Sequence, residues 1–191
     1  MRQPKNCWNP GKTYVPLTEH LDPEVNDWLE WPVKDLIRDY YLIQEHFYEY
    51  GIGIGISDFS YLITPAFKAL EGALLQIARE LGFDLEKKKY RVGWILDERE
   101  LDSFYEDVLQ KVETLTQEAK QDIRQWLSNA RLFLRDMRHT PAHYLAEPKQ
   151  TFTRAFDTGN TIIFTINQIA LVLLKAGAFK KSSAATTPVR A

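Results

Sequence analysis

Residues 135–143, Arg-Asp-Met-Arg-His-Thr-Pro-Ala-His, place two arginines and two of the chain's four histidines within nine positions. Histidine exchanges a proton near neutral pH, and a guanidinium fork neutralises phosphate oxygens, so these residue types together suit cleavage of a phosphodiester without a metal. An RNA substrate would supply its own nucleophile, the 2'-hydroxyl. Upstream, Arg124, Arg131, Arg135 and Arg138 follow at spacings of seven, four and three, which sets them along one stripe of a helix. Residues 120–154 hold seven basic and three acidic side chains, whereas 97–118 hold eight acids and two bases. The plainer reading of the stripe is a solvated face paired with those acids.

The whole chain offers no broad positive field. Its 191 residues carry 24 Lys and Arg against 26 Asp and Glu, a formal charge of −2, so any site for a polyanion must be local. With 45% hydrophobic and 13% aromatic residues the chain fits a folded domain and excludes disorder throughout. Cys7 is the only cysteine, so no intrachain disulfide and no cysteine zinc site exists, and a reducing, cytoplasmic setting is expected. His20 and His46 lack partners at metal-ligand spacing, and Gly51, Gly53 and Gly55 do not match a dinucleotide fingerprint. Neither a metal nor a cofactor is expected. Prolines interrupt the N-terminal residues where a signal peptide needs its apolar run. The most apolar stretch, 162–174, contains Thr165, Asn167 and Gln168, and no membrane span is read from it.

Helical periods fill most of the rest. Residues 1–32 carry five prolines and read as an arm lying on the main body, with a helix start at Asp22-Pro23-Glu24. From Val33 the seam Leu36, Tyr40, Ile43, Phe47 and Tyr50 predicts an amphipathic helix up to Gly51, followed by a glycine-rich connector over 51–56. Thr64 and Pro65 suit cap and first-turn positions for a helix with the seam Phe67, Leu70, Leu74, Ile77 and Leu81, stopped at Gly82. A start a turn or two earlier, at Ser57 or Asp58, would make Pro65 a kink instead. Residues 87–96 read as extended or as a small hairpin. Two further helices are predicted over 101–115 and 117–137, the second with Ile123, Leu127, Ala130, Leu134 and Met137 on its seam and a break at Thr140-Pro141. A central helix over 159–176 carries Ile162, Ile166, Ile169 and Leu173, and 180–191 has the composition of a loose tail. The expected architecture is all-α: an arm (1–32), a helical bundle (33–179) and a tail (180–191).

Arg138, His139 and His143, at the end of a long helix in such a chain, resemble the HEPN superfamily, whose ribonucleases carry an Arg, then a polar residue, then a His four to six residues after the Arg. The segment 67–74, with Glu71, is similar to the helix that bears a Glu in the catalytic domain of RnlA-type ribonuclease toxins. The resemblance implies an HEPN-like bundle that cleaves RNA by 2'-hydroxyl attack, without metal. His143 would be the general acid or base and Arg138 the group that stabilises the phosphorane. Glu71 would orient His143 or hold the arginine, with His139, Arg135 and Arg131 supporting. It also implies a homodimer with two motifs facing one groove, a toxin or phage-defence role, and a cognate antitoxin. Tyr144 directly follows His143, whereas toxins silenced by nucleotide transfer carry a Tyr two residues after the His, so that mode of control is not expected. The alternative is a non-catalytic helical module that binds a protein or nucleotide. For Trp8, Trp28 and Trp31 the simpler reading is aromatic anchors for the bundle surface or a dimer partner, with base stacking as the other. Gly72, beside Glu71, is read as a point of close helix approach.

Overall fold

A computed structural model describes residues 17–50, 60–84, 101–142 and 152–179, with the backbone alone at 18, 49–50, 60–61, 101–102, 133–142 and 152, and among these residues it has six α-helices and two 3₁₀ turns. The helices are α1 (Pro23–Trp28), α2 (Trp31–Tyr50), α3 (Thr64–Glu80), α4 (Leu101–Lys111), α5 (Gln117–Ala142) and α6 (Phe152–Lys175). The 3₁₀ turns are Leu17–Glu19 and Ser60–Ile63, and there is no strand among the described residues. The protein is all-α over this extent. The expectations for 1–16, the connector 51–56, the extended stretch 87–96 and the tail 180–191 lie outside the described residues.

The bundle is arranged around α6, which packs against α1, α2, α3, α5 and the turn Ser60–Ile63. Ala155, Phe156, Ile162, Ile163, Ile166, Ile169, Ala170 and Leu173 are buried on several of its sides. Thr153–Lys175 is long and apolar enough to cross a bilayer, but its isoleucines face other parts of the same chain, the pattern of a core helix. Polar residues within this apolar run have partners. The Thr165 hydroxyl donates to the Thr161 carbonyl (2.9 Å), and the Asn167 side-chain oxygen accepts the Asp22 N–H (2.8 Å). The second bond fixes the start of α1, where the Asp22 carboxylate also caps the Glu24 N–H (2.9 Å) ahead of Pro23.

Residues 17–32 therefore share the core: Leu17, Leu21, Val25, Trp28 and Leu29 are all buried. The turn between α1 and α2 is held from α3 by Gln76, a fully buried amide. Its Nε2 donates to the Trp28 carbonyl (2.9 Å) and its Oε1 accepts the Glu30 N–H (3.0 Å), so two backbone groups left over at a helix junction are satisfied by one side chain. Trp28 stacks on Phe179 and donates its indole N–H to the Glu80 carboxylate (2.8 Å), and Arg79 pairs with Glu30. Trp28 is thus an aromatic anchor, whereas Trp31 is half exposed and carries Lys34 and Arg38 over its ring.

Helix limits depart from the sequence periodicity in four places, each for a local reason. The fully buried line of α2 is Val33, Ile37, Tyr40 and Tyr41, with Leu36, Ile43 and Phe47 partly buried, because α2 packs on both α3 and α6. Thr64 is the first residue of α3 and not its cap: Ile63 precedes it without a side-chain bond, at the end of a 3₁₀ turn that feeds the helix. Helix α5 runs through Thr140 and Pro141 to Ala142. In the last turn a proline removes only the bond its own nitrogen would make, so the break comes after it. Helix α6 begins at Phe152, seven residues before Gly159. Gly159 sits inside the helix because the Tyr40 ring lies where its side chain would be. The Tyr40 hydroxyl donates to the Phe156 carbonyl (2.8 Å) and lies 3.0 Å from the Asn160 side-chain oxygen. The helix stops at Gly82 and Gly177 are as expected, both with positive φ (73° and 69°).

Gly72 does allow close approach of α2 and α3, since a methyl there would lie 2.9 Å from Val33 Cγ2. The two glycines give a graded prediction. Gly159→Ala forces the buried Tyr40 ring aside and lowers stability by about 1–3 kcal/mol in chemical denaturation. Gly72→Ala meets only a side-chain end and gains roughly 1 kcal/mol of helix propensity, so its net change stays within about 1 kcal/mol. Equal losses for the two variants would contradict the packing described.

Candidate functional site

The arginine stripe lies on a flank of α5. Ile123, Leu127 and Ala130 are buried toward the core, Arg124 is exposed and Arg131 half-buried. The Arg124 guanidinium carbon lies 5.4 Å from the centre of the Tyr105 ring of α4, and the Tyr105 hydroxyl donates to the Lys120 carbonyl (3.1 Å). The first member of the stripe is thus engaged by an aromatic face at the α4 boundary. Arg135, Arg138 and His139 occupy the last two turns of α5, where cationic side chains complement the negative end of the helix dipole. His143 follows the last helical residue by one position and lies outside the described residues.

Contacts along the bundle fix the register of these parts. The Thr114 hydroxyl donates to the Ala176 carbonyl (2.5 Å) and Trp126 meets Phe164 edge to face at 5.4 Å, so α5 and α6 run antiparallel. Tyr48 and Phe47 of α2 stack near Phe156. The C-terminal end of α5 and the C-terminal end of α2 therefore share the end of the bundle where α6 begins. Glu71, half-buried on α3 between Leu70 and Gly72, lies at the level of Val33, toward the opposite end. The Arg138 side chain, which would meet Glu71 in the expected site, lies outside the described residues, as does His143. Helices α3 and α5 also pack on α6 from separate positions and not along each other.

Two of the four histidines are accounted for elsewhere. His20 stacks on Tyr41 with ring centres 3.7 Å apart and planes 13° from parallel, and His46 on α2 meets the Phe47 ring edge to face. Burial against Tyr41 pushes the His20 imidazole below its ordinary value, partly offset by the Glu19 and Glu45 carboxylates. Burial also pushes the Tyr41 hydroxyl up to about 12, so Tyr41 remains neutral. Among the described residues no group of three His, Cys, Asp or Glu side chains could hold a metal ion. Sequence periodicity did not single out Gln76 or Asn167, whose only signal is a polar side chain within an otherwise buried helical face.

No family model, no curated protein and no solved structure matches the chain.

The His20 stack makes stability depend on pH. A folded-state imidazole below 6.5 means that the unfolded chain binds the proton more readily, so stability is greatest above about pH 6.5 and falls as the pH drops through the folded value. Urea midpoints measured between pH 7 and pH 5 should fall more steeply for the wild type than for His20→Phe. Parallel curves would remove His20 as the cause.

Proposed function

We propose that the chain is a metal-independent endoribonuclease of the HEPN type in which Arg138 and His143 act on the substrate. The observation that supports this reading is the continuity of α5, which carries Arg131, Arg135, Arg138 and His139 in one helix and ends at Ala142, one residue before His143. Neutral His143 removes the proton from the 2'-hydroxyl, and the oxygen attacks the adjacent phosphorus. The Arg138 guanidinium balances the charge on the phosphorane oxygens. The bond to the 5'-oxygen breaks, that oxygen takes a proton, and the products are a 2',3'-cyclic phosphate and a 5'-hydroxyl. His139, next to Arg138, supplies a second imidazole, and Arg135 and Arg131 hold phosphates upstream. Glu71, by resemblance, orients His143 or holds the arginine. By resemblance the reading extends to a cytoplasmic toxin or phage-defence effector restrained by an antitoxin. The competing reading is a non-catalytic module that binds a protein, and the half-exposed Phe164 on α6 speaks for it.

Labelled single-stranded RNA in excess EDTA separates the two. The wild type should cleave it to cyclic-phosphate ends. His143→Ala and Arg138→Ala, with unchanged circular dichroism, should each lose on the order of 10²-fold or more in rate. No cleavage by the wild type, or equal cleavage by all three proteins, would overturn the proposal.

A further inference from the structure

Helix α1 is short and leans on few elements. It has six residues, too few for a helix to persist by itself in water, and among the described elements it packs chiefly on α6 and on the turn Leu17–Glu19. The Asp22–Asn167 bond places its start beside α6, and the Trp28–Phe179 stack places its end beyond the last residue of α6, so the two helices run side by side in the same direction. Residues 17–29 therefore cover the last two turns of α6, where Ala170 and Leu173 are buried, and His20 rests on Tyr41 of α2 at the edge of this cover.

A turn distant in sequence fastens the cover. Gly177, at φ 69°, donates its N–H to the Leu174 carbonyl (2.9 Å), and the Ala178 N–H reaches the Leu173 carbonyl (3.0 Å), the bonding that closes a helix on a left-handed residue. The Thr114 hydroxyl holds the Ala176 carbonyl and so fixes the point from which the turn departs. The reversed chain lays Phe179 flat on Trp28, with ring centres 4.8 Å apart and planes 11° from parallel, and both residues are buried. Trp28 is the largest side chain of the cover, and α3 holds it as well, the indole N–H through Glu80 and the carbonyl through Gln76. Departure of Phe179 bares the Trp28 ring, and departure of Trp28 bares Phe179, so each segment loses apolar burial when the other leaves. That mutual dependence makes them one cooperative unit.

We propose that residues 177–179 are a strap over residues 17–29, and that strap and cover open together while the rest of the bundle stays folded. The helices that remain keep contacts the cover does not mediate, since α3 packs on α2 and α6, and α5 packs on α6. The unit lies at the end of the bundle where α6 stops, whereas α5 carries Arg135, Arg138 and His139 at the end where α6 begins. Opening thus uncovers the last turns of α6 and leaves the arginine-bearing helix in place. The proposal rests on this packing and not on ribonuclease activity.

Native-state hydrogen exchange of the full chain in increasing urea, followed by NMR, tests it. Asn26 and Leu29 report the cover through their bonds to the Asp22 and Val25 carbonyls, and Gly177 and Ala178 report the strap. In the wild type the two sets should converge on one isotherm, with a smaller opening free energy and urea slope than the amides of Ile163 and Ile166. Phe179→Ala should speed both sets by the same factor, on the order of 10²-fold, and Phe179→Leu, which keeps part of the contact, by less. Ile123→Val, in the buried face of α5, should speed the Ile163 and Ile166 amides several-fold and leave both sets unchanged. Phe179→Ala that speeds Gly177 and Ala178 but not Asn26 and Leu29 would overturn the proposal. So would exchange of Asn26 and Leu29 with the slope of Ile163, which would mean that the cover opens only when the whole chain unfolds.

Discussion

The structure depends on one constraint: α6 is apolar on most of its circumference and must be surrounded by the other helices to remain out of water. Burial of its isoleucines against α1, α2, α3 and α5 supplies the main driving force for the assembly. Direction comes from a few polar bonds inside that contact, because hydrophobic attraction alone does not set register. Tyr40 reaches a carbonyl of α6 beside Gly159, Asn167 reaches back to the start of α1, and Gln76 closes the junction of α1 and α2. All three bond to backbone groups, which would carry a desolvation cost if left bare.

Most helices were legible because apolar residues repeat at helical intervals, and those intervals hold in α3, in α6 and in α5 as far as Ala130. What the periodicity could not show was set by neighbours distant in sequence. Gly159 reads as a helix boundary until the Tyr40 ring is seen to occupy its place. Residues 17–32 read as an arm because their prolines hide the spacing of Leu17, Leu21, Val25 and Trp28. Pro141 reads as a break, yet near a helix end it costs one bond and the helix continues by a residue. The buried faces are wider than single seams, since α2 and α6 each touch more than one partner.

The candidate chemistry was legible in kind and less so in assembly. Arginine and histidine types at helical spacing are visible in the sequence, and α5 carries them on one continuous helix. The spacing of Glu71 relative to Leu70 reveals nothing about its level in the bundle, which depends on the pairing of Gly72 with Val33. The proposed reading rests on two groups, Arg138 within the last two turns of α5 and His143, the next residue in sequence after that helix.

Direct observation of His143 tests this most sharply, because the chain has only four histidines and their imidazole resonances can be assigned by substitution. Titration with a nucleoside 2',3'-cyclic phosphate, followed by proton NMR, should shift the His143 resonance saturably and raise its midpoint pH. His20 and His46 should stay unmoved, and Arg138→Ala should abolish the shift. Equal shifts at all four histidines, or none at His143, would contradict the assignment of Arg138 and His143 to one phosphate site.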